Sequence, residues 1–564
     1  MTRGFSAALA AIAMAASAAS AIAQQVADLV LRNASIWTAD PDRTDATALA
    51  VRDGRIVFIG DDAEAYIGDA TRVIDAEGRR VLPGLIDAHV HIAGAAASFD
   101  SLDLRVATSR DDLLNIVREG AEQLPEDAWV VGRGWSAESW PDRRPPSAEE
   151  IDEAAGGRPA VLVRMDGHSL IAGATALEMA GVTTDGPADP AGGEIGRRAD
   201  GAPDGALYEQ AMGLVTRLVP ERDDVRTMDL IRRASAHANS LGVTQVGAID
   251  SRRTLENLVA PLDAAGKLTL RVNASVSEGH DSLAAWRPTL EWAADNPQLS
   301  PRVRVLGFKG YMDGSLGSRT AWMFEPYLDN PADRGADNAG FPLALAASGE
   351  LEAIIRLGAD MGLQPIVHAI GARANSVLLD WYAKLPGSVR DQIRPRIEHA
   401  QHLTPMDAPR FGALGVVPSM QPYHKADDGR YALDRLGPAR NRTSYAFRQL
   451  LDTGAVLAFG SDWPVVTVDP MLGIHAAVTA RTLDGATFVP EQSISVADAL
   501  RAYTTGAAWA LHSEAETGML REGYAADFII LDRDILAIDP SDIPQVRVLR
   551  TVIAGDEVFT RDDE

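Results

Sequence analysis

His89 and His91 stand two residues apart in "LPGLIDAHVHI" (82–92), directly behind Pro83, Gly84 and an apolar run. On an extended strand, side chains at i and i+2 share one face, so these imidazoles can converge on a single cation where the strand ends. A pair alone is not a site. Further donors occur in the same setting, each at the end of a short apolar run: Lys309 closes "VRVLGFK", His368 "QPIVH", His399 "RPRIEH" and Asp462 "AVLAFGSD". Imidazoles and a carboxylate are the ligand types of divalent-metal sites that activate water and polarise a carbonyl.

For those residues to meet, the strands that carry them must end at one place. Eight strand-like runs can be counted, at 81–89, 243–249, 269–275, 303–309, 364–368, 394–399, 414–419 and 455–462, with helical patterns between several of them. Leu351, Ile354, Ile355 and Gly358, for example, follow the i, i+3, i+4, i+7 spacing of a helix with one buried face. The fold class expected is α/β, a (β/α)8 barrel whose strand ends share one mouth. The gap from the first run to the second exceeds one crossover helix, so residues 93–235 are expected to form an insertion. Strand-rich termini, "ALAVRDGRIVFIGD" with its Asp53-Gly54 turn and the late "ADFIILD" and "RTVIAGDEVFT", predict a small β-sandwich built from 24–80 and 520–564 around a barrel spanning 81–519.

Composition narrows the function classes. The chain has 564 residues, no cysteine and a formal charge of −26, so it repels phosphate backbones and nucleic acid is excluded as a partner. Residues 1–23, with Arg3, an alanine-rich apolar run and Ala21-Ile22-Ala23 before Gln24, read as a signal peptide. The expected location is periplasmic or secreted, with no membrane span after cleavage. A homo-oligomer is compatible with the sequence.

The motifs "PGLIDAHVH" and "GSDWP", with the single downstream histidines, resemble the amidohydrolase superfamily. "GFKGYMDGSLGSRTAW", "VHAIGARA", "RIEHAQ" and "TGMLREGYAADFIILD" resemble its family 3 branch of N-substituted formamide deformylase-like proteins, over nearly the whole chain. The resemblance implies that His89, His91 and Asp462 bind one metal, that His368 and His399 bind a second, and that Lys309 bridges the two as a carbamate. It also implies that Asp462 is the catalytic proton carrier in hydrolysis of a non-peptide carbon-nitrogen bond (amide, formamide or N-acyl) of a small molecule. Two divalent ions are expected, zinc first, although such ligands also accept iron, manganese, nickel or cobalt. Where related sequences often read Gly-Asp-Arg-Ala after the fifth-strand histidine, this chain has Gly371-Ala372-Arg373-Ala374.

His168 in the insertion, Asp313 and Arg319 in the Gly-rich loop after Lys309, and His424 past the seventh strand are candidates for substrate contact, with Ser315 beside them. His402 is expected on a helix after His399, and His237, His280, His475 and His512 are assigned to structure or surface. Two alternatives stay open: a one-metal deaminase, which would want an acid where Gly371 stands, and a non-catalytic protein on the same fold.

Overall fold

The computed structural model describes residues 26–330 and 335–561; the signal segment read at 1–23 lies outside the described residues. Its centre is a parallel sheet of eight strands: β1 (Leu85–Val90), β2 (Val243–Asp250), β3 (Arg271–Val276), β4 (Val303–Tyr311), β5 (Gln364–Ala369), β6 (Arg396–His399), β7 (Val417–Met420) and β8 (Ala458–Phe459). Each pairs with the next in chain order. The seam between β8 and β1 is drawn together beyond the end of β8. Asp462 N–H donates to His89 C=O at 2.7 Å, His91 N–H donates to Trp463 C=O at 2.8 Å, and Val90 bridges Trp463. A parallel sheet covered on both faces demands apolar residues at nearly every position, and β1, β2 and β5 are buried throughout.

All eight runs read from the sequence are barrel strands, with one adjustment at the start. Residues 81–89 are two strands, because Gly84 ends one, Arg80–Pro83, and begins the turn into β1. A Cβ at Gly84 would lie 2.3 Å from the Thr244 hydroxyl, so only glycine lets the chain pass that close to β2. The predicted helix with Leu351, Ile354, Ile355 and Gly358 buried runs Glu350–Asp360.

Arg80–Pro83 belongs to a six-stranded sheet with Ser35–Asp40 and Arg43–Ala46 on one side and Phe528–Leu531, Val548–Ile553 and Asp556–Thr560 on the other. A four-stranded sheet of Leu29–Arg32, Ala48–Arg52, Arg55–Gly60 and Arg72–Asp75 faces it across Leu29, Leu49, Ile56, Val81, Phe528 and Val552. This is the expected sandwich from both ends of the chain. Between β1 and β2 the insertion forms a second mixed sheet of six strands, including Val130–Trp135, Ala160–Arg164, Ser169–Ala172 and Pro203–Glu209. Separate apolar clusters, one around Trp135 and Trp140 and the other around Leu170 and Leu207, pack against this sheet. No helix of the described residues is long and apolar enough to cross a membrane.

Candidate metal centre

The strand ends deliver their polar residues to one mouth. His89 sits on β1 and His91 just beyond it, Lys309 on β4, His368 on β5, His399 at the end of β6 and Asp462 three residues past β8. His399 and Asp462 adopt φ of +74° and +59°, left-handed conformations unusual outside glycine, and each turns the chain at the point where its side chain enters the mouth.

Asp462 Oδ1 lies 3.2 Å from His91 Nε2 and 3.4 Å from His89 Nε2, and Lys309 Nζ lies 3.4 Å from His89 Nε2. The donor atoms of His89, His91 and Asp462 all fall within 4.8 Å of one another, as do those of His399, His424 and Asp462. Two three-donor sets therefore share one carboxylate. His368 stands beside them, its ring 4.5 Å from that of His399, with Nε2 3.0 Å from the Gly314 carbonyl oxygen and 3.5 Å from Asp313 Oδ1. His424 Nε2, by contrast, is buried without a hydrogen-bond partner. An orphaned imidazole nitrogen beside a carboxylate and a second histidine fits a divalent cation.

The surroundings keep the imidazoles in the form that ligates. Burial pushes His89 down to about 4 and holds His368 and His399 well below the usual histidine range, so each is neutral with a free lone pair. The opposite ring nitrogens have acceptors: His89 Nδ1–H donates to Glu398 Oε2 at 2.5 Å, His91 Nδ1–H to the Ile249 carbonyl at 3.1 Å and His399 Nδ1–H to Gln421 Oε1 at 2.7 Å. Burial alone would raise the pKa of Asp462, yet attraction to His89 and His399 in their protonated forms, with a hydrogen bond from His91, holds it well below the carboxylate range. Burial also lowers Lys309 to about 8, against the opposing pull of Glu398 and Asp462.

Carboxylates fix the turns that carry these side chains. Asp87 accepts from the backbone N–H of His89 and of Ser461, and Asp250 from those of Ile92 and Ala93. Asp313 is fully buried and accepts from the N–H groups of Ile370, Gly371 and Trp322, tying the β4 and β5 loops together. Burial raises its carboxyl to about 7, against those three donors.

The remaining candidates fall into different places. His168 reaches the mouth from the insertion, lining a small pocket with His399, Gln401, His424 and Asp462. Its Nδ1–H donates to Glu209 Oε2 at 2.9 Å, and its ring lies 4.9 Å from that of His368. Burial would depress His168, but Glu209 raises it to about 9. Arg319 pairs with Asp329 at 2.6 Å and lines a separate cavity of about 770 Å³, walled by the insertion and the loops after β4 and β7. Ser315 Oγ donates to Asp166. His402 is not helical: it bridges Ser444, and its Nδ1 lies 2.7 Å from Ser444 Oγ, because the chain after β6 stays extended before turning into Ala408–Leu414. His237 and His475 lie on helices, and His280 and His512 lie outside regular elements.

Glu398, Gln421 and Glu209 are neighbours of the candidate site that the sequence reading missed. Glu398 had a visible signal: Arg396 and Glu398 alternate inside a strand otherwise fully buried, which only a paired charge tolerates. Gln421 and Glu209 had none, since their partners are distant in sequence.

Comparison with known proteins bears on family and fold. The profile of the amidohydrolase family matches residues 72–559. The chain is 35% identical to Protein LONG AFTER FAR-RED 3 of Arabidopsis thaliana over 551 residues, 95% of this chain and 92% of that protein. It is 30% identical to the putative amidohydrolase YtcJ of Bacillus subtilis (92% and 97% covered) and 27% identical to the N-substituted formamide deformylase of Arthrobacter pascens (94% and 98%). The crystal structure of an uncharacterized metal-dependent hydrolase from Pyrococcus horikoshii superposes with a TM-score of 0.71 at 26% identity, covering 91% of this chain and 99% of that one. Profile, relatives and superposition together place the chain in the amidohydrolase family, in the family 3 group that includes these relatives.

Proposed function

We propose that the protein hydrolyses an amide, formamide or N-acyl bond of a small molecule, using two divalent cations at the barrel mouth. The observation that carries the reading is Asp462, whose carboxylate is within reach of both the His89–His91 pair and the His399–His424 pair. His89, His91 and Asp462 would hold one cation, and His399, with His424 or His368, the other. Bound there, the cations supply Lewis-acid polarisation of the carbonyl and acidify water.

The chain's own groups do the rest. Asp462, kept ionised by its imidazole neighbours, accepts the proton of the attacking water and returns it to the leaving nitrogen. His168, fixed by Glu209, faces the same pocket and is suited to hydrogen-bond the substrate near the reacting centre. Lys309 is suited to carbamylation: burial brings it to about 8, which enriches the neutral amine that adds CO2, and its Nζ already lies 3.4 Å from His89 Nε2. Support for carbon-nitrogen hydrolysis comes from the 27% identity to a formamide deformylase over 94% of the chain. Gly371, where a deaminase would want an acid, donates its N–H to Asp313 instead. Export to the periplasm or beyond is part of the proposal and rests on residues 1–23 of the sequence alone.

The test is metal content of protein purified without chelators, combined with a panel of formamides, acyl amides and aminopurines. Two metals per chain with carboxylate release support the reading. Ammonia release from aminopurines with one metal, or neither metal nor turnover, refutes it.

A further inference from the structure

Arg133 lies on the insertion strand Val130–Trp135, at an irregularity where the register against Ala160–Arg164 shifts between Arg133 and Trp135. Such shifts re-aim side chains, and the guanidinium here reaches the turn that presents His168. Its Nη2 lies 3.2 Å from where a Cβ on Gly167 would sit, and Val465 Cγ2 lies 3.8 Å from the same point. The fork thus lies against the turn that presents His168, and the same turn meets Val465, a wall residue of the pocket containing Asp462 and His424.

What sets Arg133 apart is that none of the described residues claims it. Its Nε is buried without a hydrogen-bond partner, and among the described residues the guanidinium makes no ion pair. Asp462 and Asp166 attract it from beyond contact distance, and both are otherwise engaged, Asp462 with imidazoles and Asp166 with Arg164, Ser315 and Ser318. Other arginines nearby are satisfied: Arg105 with Asp103, Arg164 and Arg435 with Glu138, Arg319 with Asp329. An always-charged guanidinium whose Nε is buried without an acceptor is costly, and that cost falls when a ligand supplies acceptors to it.

We propose that Arg133 recognises a carboxylate on the substrate, so that the amide cleaved at the metal centre is one whose acyl or amine half carries a carboxylic acid; this rests on the hydrolase reading given above. A planar monoanion matches the guanidinium fork through two parallel hydrogen bonds. A phosphate dianion does not suit the place, because Asp166, Asp427, Asp428 and Asp462 line the adjoining pocket and would repel a second negative charge. Arg133 is then a specificity-determining residue and takes no part in bond cleavage.

The experiment compares the metal-loaded wild type with Arg133→Met and Arg133→Lys on matched substrates: N-formyl- and N-acetylphenylalanine, in both enantiomers, against N-formyl- and N-acetylphenethylamine, which lack only the carboxylate. The wild type is expected to favour the carboxylate member by about 100-fold in kcat/KM, the scale of a desolvated charge-assisted pair. Arg133→Met should erase the preference through KM while changing the neutral substrates by less than about threefold, and Arg133→Lys should fall between. Equal losses on both substrate types, or a wild type without preference, overturn the proposal while leaving hydrolysis intact. If the wild type cleaves no amide, calorimetric titration of both metal-loaded proteins with 3-phenylpropanoate decides separately. Binding at least about tenfold weaker in Arg133→Met sustains the carboxylate site although the hydrolase reading fails, and equal binding overturns it.

Discussion

Glu398→Gln, paired with Arg396→Met/Glu398→Gln, separates metal binding from folding. Glu398 is fully buried between two partners, accepting from His89 Nδ1 at 2.5 Å and from Arg396 Nε at 2.8 Å, and those partners hold its carboxyl down to about 2 in spite of its burial. The amide keeps the shape and loses the charge. His89 is then less basic and less firmly oriented, so affinity for the metal held with His91 and Asp462 should fall about 10- to 100-fold, the usual effect of removing such a carboxylate. Arg396, 1% exposed, becomes a buried cation whose remaining acceptors are the Ala88 carbonyl and Ser419 Oγ, which should cost about 3–5 kcal/mol of stability. The double variant Arg396→Met/Glu398→Gln removes both charges and should recover most of that stability while leaving metal affinity weak. Competition with a chromophoric chelator reads the first quantity and urea unfolding of the stripped protein reads the second. The pH dependence has a definite sign. Because the native pKa lies below the ordinary 4.5, the contribution of Glu398 is complete above that value and is lost as pH falls towards 2. The stability deficit of Glu398→Gln should therefore narrow on acidification. Wild-type metal affinity in the single variant would refute the reasoning.

Asp462→Asn should keep much of the metal and lose about 10²- to 10⁴-fold in turnover, measured on whichever amide the wild type cleaves best; unchanged turnover removes Asp462 from proton transfer. Lys309→Met should abolish the mass increase of one CO2 in native mass spectrometry and reduce bound metal, whereas an unmodified wild-type lysine at full metal loading would contradict the carbamate. Gly307→Ala should destabilise the barrel by more than about 3 kcal/mol, because the new Cβ would lie 1.8 Å from the Gln364 carbonyl oxygen on the neighbouring strand; a thermal unfolding temperature equal to wild type would refute that.

The barrel was legible in the sequence because a parallel sheet buried on both faces writes itself as short apolar runs, and because a polar residue closing such a run is conspicuous. Lys309, His368, His399 and Asp462 were found in that way. The Asp53-Gly54 turn was equally plain, joining two strands as its chemistry requires. What stayed hidden were partners brought together only by folding. His424 was read as a substrate contact, yet its donor atom sits with those of His399 and Asp462; nothing in "SMQPYHK" reveals a direction for its ring. Glu209 reaches His168 across 41 residues, and it does so with a φ of +48° that no local pattern announces. Asp313 looked like a loop carboxylate open to substrate, but three backbone N–H groups, one from its own loop and two from the loop after β5, enclose it. In each case the deciding quantity is a side-chain direction, which periodicity does not encode.

The most direct test is anomalous diffraction at the metal edge from crystals of the natively loaded protein. The account predicts two peaks at the barrel mouth, one ligated by His89, His91 and Asp462 and the other by His399 with His424 or His368. Scattering absent from that mouth, or a single ion bound without Asp462, would contradict it.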